Sequence, residues 1–428
     1  MRITTLIIAT GVFAAVGVGA TFFTKNQYNT ALANQIAITK SHYADMGLNV
    51  SRDVTQSDWF GFTDVITVTA DSELLPVLGL NEEVDGAVRV SMTGDCQILP
   101  LYVTCEHRFD KGENLSEGIV SALQQVDYSF RSSVNALAGE LQQTLVTSEV
   151  VLNNQQGKIT FRPLSLTSES NLSLSELEVE GTWGGLSLED SPAGAQVTLD
   201  QVNIKTDMER LAGMLYLGEA RLTIEKLAVG TSAQSQVSEV EGITLKTVTS
   251  ELDNETFAIS YGVEANSVAT VQGGIPLRLT DFRTDMAVSG MSQQGLKYFM
   301  GVSESGMTQS AADSDAMLAE IGKNQLTLAI NQIAVKYNDI PFSANGKFIL
   351  APFDEATLEA GTLTSKLSGK LAILLGGAAP EQLPQLAPML RQYQQMGVVE
   401  TTSEGDFTTT LTIADRQLSA NGIIITTL

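Results

Sequence analysis

Few residues in this sequence are suited to acid–base or nucleophilic chemistry. It contains two histidines, His42 and His107, and two cysteines, Cys96 and Cys105. A hydrolytic triad and most zinc sites need a histidine that a neighbouring group orients. His42 lies in a segment with helical spacing, and His107 lies in a predicted strand, where we expect it on the surface. We therefore predict no catalytic, cofactor-binding or metal site and expect that the chain is not an enzyme.

Other fragments of known motifs have simpler interpretations. Asp313-Ser314-Asp315 has part of the spacing of a calcium loop but lacks its glycine and distal glutamate, so we interpret it as a helix start. Gly273-Gly274 is interpreted as a turn, because no Lys-Ser/Thr follows to complete a phosphate loop. Carboxylates are numerous, but no two stand out as a glycosidase-like pair.

The two cysteines flank Gln97-Ile98-Leu99-Pro100. Apolar and polar residues alternate on both sides of this segment, which is typical of the two arms of a β-hairpin. Exported proteins commonly close such pairs as disulfides, and we predict a Cys96–Cys105 disulfide. Two unrelated buried thiols are the alternative interpretation.

Composition and charge exclude several partners. The chain has 25 Lys and Arg against 49 Asp and Glu, a formal net charge of −24. Nucleic acid is a poor partner for such a chain, because affinity for phosphate backbones depends on cations that neutralise them. The low charged fraction of 17% and the many polar uncharged residues favour a β-rich protein.

The N-terminal segment predicts a membrane association. Ile3 to Phe23 carries no charge and follows Arg2, and as a helix it would be about 30 Å long, the thickness of a bilayer core. We predict a transmembrane anchor over residues 1–24; a signal peptide cleaved after Val18-Gly19-Ala20 is the alternative. Helical spacing then predicts a stalk helix over residues 25–47, which Gly47 ends.

From about residue 150 one apolar pattern recurs, with two period-two halves separated by an extra residue. Such spacing predicts either a β-bulge, which keeps both halves on one face, or the end of one strand and the start of the next. We expect roughly two strands per repeat, with turns at Asp253-Asn254 and Gly273-Gly274. The predicted apolar sheet face comprises Leu172, Leu174, Leu177, Val179, Val197, Leu199, Val202, Ile204, Leu222, Ile224, Leu227, Val229, Leu328, Ile330, Ile333 and Val335.

Three regions have helical periodicity. Apolar residues spaced three or four apart predict a long amphipathic helix near 115–145, which we expect to cover the apolar face of the sheet. Further helices are predicted near 292–321 and over 381–396. The fold class expected is therefore α+β and dominated by β structure. It is a long, bent antiparallel sheet or meander over residues 48–428, with a few covering helices, preceded by one N-terminal transmembrane helix.

The order of these features resembles the YdgA-like family of bacterial envelope proteins (domain of unknown function 945). The resembling stretches are Asp58-Trp59-Phe60-Gly61-Phe62-Thr63, Ile159 to Leu164, Leu222 to Leu227, and Phe407 to Leu411 with Asn421-Gly422. The family's His-Gly-Pro-Phe-Pro-like loop is not found in this sequence. The resemblance implies an inner-membrane protein with its bulk in the periplasm, and it implies no activity.

Three functional hypotheses follow. The first is a non-enzymatic scaffold that binds envelope proteins or a second copy of itself. The second is a protein that binds or transfers a lipid or another apolar ligand in a groove of the sheet. The third and weakest is a hydrolase of envelope glycans. In each, the N-terminal helix predicts a membrane as a partner, and the family resemblance implies that this is the inner membrane.

Overall fold

The computed structural model describes residue 36 and residues 47–57, 61–71, 87–99, 102–110, 126–154, 157–190, 194–212, 215–231, 236–252, 255–272, 275–300 and 311–428. The predicted anchor over 1–24 and His42 lie outside these residues. Of the predicted stalk helix, only Ile36, which is helical, and Gly47, which lies in a turn, are described. No helix in the described part of the chain is both long enough and apolar enough to cross a membrane.

The chain forms two compact units. The first comprises Met1–Leu188, Val202–Tyr216 and Ser303–Thr308, and the second comprises Glu189–Gln201, Leu217–Val302 and Gln309–Leu428. Both are built mainly from antiparallel strands, so the prediction of a β-dominated fold with a long antiparallel sheet and few helices is confirmed.

In the first unit, the strands pair antiparallel in the order β1-β2-β3-β4-β5-β6-β9-β10. Strands β7 and β8 form a hairpin, and β8 also pairs with β10. Alternate residues of β2 face the core, as in Phe62, Ile66 and Val68. The bounds are β1 Leu48–Ser57, β2 Gly61–Ala70, β3 Val88–Leu99, β4 Tyr102–Phe109, β5 Tyr128–Asn135, β6 Glu140–Thr147, β7 Val150–Asn154, β8 Gly157–Phe161, β9 Leu164–Asn171, β10 Glu176–Asp190 and β11 Ala195–Ala212.

In the second unit, an antiparallel meander pairs β12 to β18 in chain order and continues through β20, β21 and β22, with β19 beside β20. Asn338 and Asp339 both have positive φ and join β16 to β17 in a two-residue turn, which matches the twist of a hairpin. The bounds are β12 Leu215–Thr231, β13 Gln236–Glu251, β14 Phe257–Gln272, β15 Ile275–Met291, β16 Leu326–Tyr337, β17 Ile340–Leu350, β18 Leu367–Leu375, β19 Glu400–Thr401, β20 Phe407–Ala414, β21 Gln417–Ala420 and β22 Ile423–Thr427.

The helices of the second unit agree only partly with the prediction. Helices α1 (Gln293–Phe299) and α2 (Ala311–Ile321) lie in the predicted region 292–321. A short helix that was not predicted, α3, follows at Glu355–Glu359. The predicted helix over 381–396 is interrupted at Leu383-Pro384, because a proline inside a helix removes a donor; it divides into α4 (Ala379–Gln382), a 3₁₀ turn and α5 (Ala387–Gln395).

The predicted amphipathic helix near 115–145 is wrong over its described part, where β5 and β6 form a hairpin instead. A spacing of four residues is an even number, so it also keeps residues on one face of a strand; Phe130 and Val134 are buried in this way. Leu137, assigned to the helical stripe, lies at the turn and is 81% exposed. Asn135 Oδ1 accepts hydrogen bonds from the Leu137 and Ala138 amides, and Gly139 closes the turn with a φ of +71°.

The recurring apolar pattern has two structural forms. Its first copy crosses the turn between β9 and β10, where Leu174 has a φ of +56°, so here one strand ends and another begins. The later copies lie within the single continuous strands β11, β12 and β16. The expectation of two strands per repeat is therefore wrong, because strands of up to 18 residues fill most of each interval. The predicted turns at 253–254 and 273–274 fall between strands but outside the described residues.

A row of interrupted pairs crosses β12 to β15, which we call the interruption row. Pairing skips Glu225 and Gly242 between β12 and β13, and it skips Asn266 and Asp281 between β14 and β15. Gly242 and Asp281 have φ values of +64° and +55°. Because each strand carries its extra residue at the same level, no shift of register arises between β12 and β13. In β16 the register does shift, between Ile330 and Ile333, as a bulge requires.

Candidate apolar binding face

The candidate site is one face of the second unit's sheet between the interruption row and α1, which we call the apolar face. Leu222, Leu245, Val263, Thr284 and Ile333 are successive cross-strand partners from β12 to β16. Residues directly opposite one another in an antiparallel sheet share a face. Four of these five side chains are apolar, so the row forms an apolar strip across five strands.

Two further rows extend this strip toward α1. Tyr261 of β14 pairs with Met286 of β15, and Met286 pairs with Ile330 of β16. The register shift in β16 keeps Ile330 on the same face as Ile333, because their partners Met286 and Thr284 are two residues apart. The next row comprises Ile259, Val288, Leu328 and Phe348.

Much of the apolar face remains accessible to solvent. Leu245, Tyr261 and Leu328 are each 38% exposed and Met286 is 36% exposed, whereas a core strand would bury such side chains. Neighbouring exposed apolar side chains are unusual on a soluble surface and mark sites that bind apolar partners.

Helix α1 covers one end of the apolar face. Ser292 caps this helix by accepting a hydrogen bond from the Gly295 amide at 2.9 Å, and Leu296 of α1 is fully buried, as is Ile259 beneath this end of the sheet. The Phe299 ring lies 6.4 Å from the ring of Tyr261. Tyr261 therefore stands at the border between the covered and the open part, and its partial burial raises the pKa of its phenol.

The opposite face of the same strands is polar. Lys246 Nζ lies 2.8 Å from a carboxylate oxygen of Glu219, and Arg221 lies 3.3 Å from the other oxygen. The hydrogen bond from Lys246 lowers the pKa of Glu219. Charged side chains therefore lie on one face of these strands, and apolar side chains lie on the other.

The residues predicted for an apolar sheet face are divided between the two units. In the second unit, Leu222, Leu328, Ile330 and Ile333 lie in the rows described above; Ile224 and Val335 lie beside the interruption row, and Leu227 and Val229 lie beyond it. The prediction missed Leu245, Tyr261 and Met286. The alternation of Phe257, Ile259, Tyr261 and Val263 was the signal that could have located Tyr261. Val197 and Leu199 lie in the part of β11 that belongs to the second unit.

The other predicted face residues belong to the first unit. Leu172 and Leu174 pack against the core that contains Cys96 and Cys105. Val202, in β11, is buried. Leu177, Val179 and Ile204 are partly buried members of β10 and β11.

The two cysteines are direct partners in the β3–β4 hairpin, as predicted. Their Cα atoms lie 4.0 Å apart, and their sulfur atoms are at disulfide-bonding distance. Both side chains are buried, and Ile36, from the region of the predicted stalk, packs against the same core. Covalent closure here joins two strands in the centre of the first unit.

His107 is buried, so the prediction of a surface position is wrong. It shares a strand face with Cys105, two residues away, and that face is the core face of β4. Its Nε2 lies 2.7 Å from Ser132 Oγ, and its ring lies 4.8 Å from that of Phe130. Ser132 is also fully buried, so this pair offers a substrate no access.

Buried charge in the first unit is also paired. Asp64 is fully buried, and Arg52 Nε donates a hydrogen bond to its Oδ1 at 2.7 Å. Within the described residues, no group of three His, Cys, Asp or Glu side chains is placed to hold a metal ion. The arrangement fits a structural ion pair in a polar part of the core.

A polar cleft of about 520 Å³ lies elsewhere in the first unit, with Tyr102 at one side. Its carboxylates include Glu169, which accepts a hydrogen bond from Gln142 at 2.7 Å, and Glu178, which lies 3.8 Å from Lys205. Both are therefore engaged with neighbouring side chains, and neither resembles the acid of a glycosidase pair.

The comparisons with known proteins give one match. A family model described as a bacterial protein of unknown function (DUF945) matches residues 4–384. Neither a curated protein nor a solved structure matches the chain.

Proposed function

The chain belongs to the DUF945 family of bacterial proteins of unknown function, and from that premise we propose that it is a non-enzymatic envelope protein that binds the acyl chain of a lipid on its apolar face. The observation that carries this proposal is the exposure of four large side chains on the apolar face, Leu245, Tyr261, Met286 and Leu328. Each methylene group that this face removes from water contributes about 0.8 kcal/mol, so burial of several methylene groups offsets the cost of association.

The shape of the strip favours an acyl chain over a compact ligand. The row from Leu222 to Ile333 crosses five strands, and neighbouring strands lie about 4.8 Å apart, so the row extends for roughly 19 Å. An extended chain of about 15 carbons has a similar length, since a polymethylene chain advances about 1.3 Å per carbon. An acyl chain also needs no hydrogen-bonding partner, which suits a row that is apolar at four of its five positions.

A location in the envelope is part of the proposal. It is supported by the uncharged segment Ile3 to Phe23, which would hold the chain in the inner membrane, and by the Cys96–Cys105 pair, which suits an oxidising compartment. In that arrangement the bulk of the protein lies in the periplasm, where lipids pass between membranes.

Native mass spectrometry tests this function. We would export residues 26–428 to the periplasm, purify the protein without detergent, measure its mass and then extract it for lipids. We expect a bound mass that resolves into one lipid class. A mass equal to that of the polypeptide alone, unchanged after incubation with lipid, would count against the proposal.

A matched pair of variants would locate the binding. Met286→Asp places a carboxylate on the apolar face, whereas Ala287→Asp places one on the polar face of the same strand. We expect the first to weaken binding of a fluorescent fatty acid at least tenfold and the second to leave it within twofold. Equal effects of the two variants would show that the ligand does not use this face.

A second candidate function, a scaffold that binds envelope proteins or itself, is favoured by β22. Ile423, Ile424 and Ile425 are 41–59% exposed, and in the described chain β22 pairs with β21 alone. An apolar edge strand is a template for pairing with another chain. Crosslinking in intact cells tests it: wild type should give defined adducts that Ile424→Lys abolishes, and recovery of monomer alone would exclude this role.

A further inference from the structure

Two lysines face each other on the polar side of the second unit's sheet. Lys347 of β17 and Lys370 of β18 are direct partners in the register, and both are exposed. Partners in an antiparallel pair have Cβ atoms about 5 Å apart, so the two ammonium groups can approach a common point. Like charges placed directly opposite each other destabilise a sheet unless a counter-charge lies between them.

Among the described residues, the strands that carry and flank this pair, β16, β17, β18 and β20, contain no carboxylate side chain. Ala329 and Thr412 continue the row on either side, in β16 and β20. The flanking rows on the same face contain Asn345, Ala372 and Thr410 on one side and Thr327, Ile349 and Ser368 on the other. The patch therefore combines two cations with hydroxyl and amide groups, in a chain with 49 acidic and 25 basic residues.

Three other lysines in the second unit's sheet are neutralised, and these two are not. Lys226, Lys246 and Lys336 each lie within 2.8 Å of a carboxylate oxygen. Within the described residues, Lys347 and Lys370 form no ion pair, and the side chains of Asn345, Ser368 and Thr412 form no hydrogen bond. The patch therefore has positive charge and available hydrogen-bond donors but no anionic acceptor among the described residues.

We propose that Lys347 and Lys370 form a binding site for the phosphate group of a ligand. A phosphate monoester carries close to two negative charges at neutral pH and a phosphodiester carries one. Each presents at least two oxygens on one phosphorus, so either can bridge the two ammonium groups, and the monoester also balances both of their charges. The phosphate oxygens can also accept hydrogen bonds from the Thr412 hydroxyl and the Asn345 amide, and bonds that involve ionised groups are the stronger ones. The bound phosphate would relieve the repulsion between the two lysines.

This site is independent of the proposed acyl-chain site. Phe348, the residue after Lys347, lies in a row of the apolar face, so Lys347 points to the opposite side of the sheet. The same phosphate chemistry has two sources, a soluble phosphate compound or the phosphodiester of a lipid headgroup. Two water-soluble probes distinguish them: inorganic phosphate, and glycerophosphoglycerol, which carries the diester of a headgroup without acyl chains.

Isothermal titration calorimetry of the full chain, solubilised in a neutral detergent at about pH 8 where phosphate is dianionic, tests the proposal. We expect wild type to bind at least one of the two probes, and we expect added salt to weaken that binding. Lys347→Gln or Lys370→Gln should weaken it at least fivefold, and Lys370→Arg should retain it. The control is Lys246→Gln, which removes the same charge from a lysine on the same face that is already paired with Glu219.

The outcomes separate clearly. Binding of inorganic phosphate would identify a soluble phosphate compound as the ligand class, and binding of glycerophosphoglycerol alone would identify a headgroup. Failure of wild type to bind either probe would overturn the proposal. So would an equal loss of affinity in Lys347→Gln, Lys370→Gln and Lys246→Gln, because the effect would then reflect net charge and not this site. Circular dichroism of each variant confirms that the sheet is intact.

Discussion

Gly94 lies directly opposite His107 in the β3–β4 hairpin, and a Cβ atom at position 94 would come within 2.7 Å of the imidazole Nδ1. The missing side chain at position 94 is what allows the ring to lie flat within the core, beside Ser132 and Phe130.

Gly94→Ala should therefore destabilise the protein by about 1–3 kcal/mol, as overpacking in a core does. Urea denaturation measures this change. Gly262→Ala is the matched control, because its Cβ would be in ordinary contact with Lys246, 3.7 Å away, and should be neutral or slightly stabilising. If both variants unfold at the same urea concentration, the buried position of the His107 ring does not require a glycine at position 94.

Replacing Arg52 alone should lower the free energy of unfolding more than replacing both Arg52 and Asp64. Arg52→Leu leaves the fully buried Asp64 carboxylate without this partner and should cost about 3–5 kcal/mol. The double variant Arg52→Leu/Asp64→Leu should recover a large part of the loss. The free energy of unfolding of the two variants checks this expectation, which is contradicted if the double variant is the less stable.

The Cys96–Cys105 pair should be oxidised in protein recovered from the periplasm, which a mass two daltons below that of the reduced chain would show. The loop between the cysteines is short, with a sequence separation of 9, so the crosslink should contribute about 2–3 kcal/mol. Cys96→Ser/Cys105→Ser should lower the thermal midpoint accordingly. A reduced pair in exported protein would argue against the envelope location.

Titration of Tyr261 should report on occupancy of the apolar face. Burial raises the pKa of this phenol, so its contribution to stability is complete below the usual tyrosine value of about 10 and is lost as the pH rises through the folded-state pKa. An acyl chain against the ring would remove more water and raise the pKa further. The tyrosinate absorbance of wild type, after subtraction of Tyr261→Phe, measures this shift with and without fatty acid. An unchanged titration in the presence of bound ligand would place the ligand elsewhere.

Elements specified by local pattern were predictable from the sequence. The hairpin around Cys96 and Cys105 followed from alternation on both sides of a short turn, and the meander followed from repeated period-two segments. The hairpin of β5 and β6 was not recovered, because apolar residues four apart suit a strand as well as a helix. Asn135 and Gly139 were the local evidence for the turn that separates the two strands.

The sites were less predictable, because they depend on register. The burial of His107 could have been inferred from its position two residues after Cys105. The facing of Lys347 and Lys370 could not, since it requires knowledge of which residue of β17 pairs with which residue of β18. Leu245 and Met286 likewise become neighbours of the predicted apolar residues only once the strands are aligned.

The interruption row has a consequence for how the second unit assembles. Each strand from β12 to β15 carries an irregular position at the same level of the sheet. A strand that paired with its neighbour in a register shifted by two residues would keep its apolar residues on the same face. Hydrophobic burial alone would therefore not disfavour this register. The shifted strand would, however, set its irregular residue against a regular one and lose hydrogen bonds at two levels in place of one. The row therefore disfavours two-residue register slips, which hydrophobic alternation alone would tolerate.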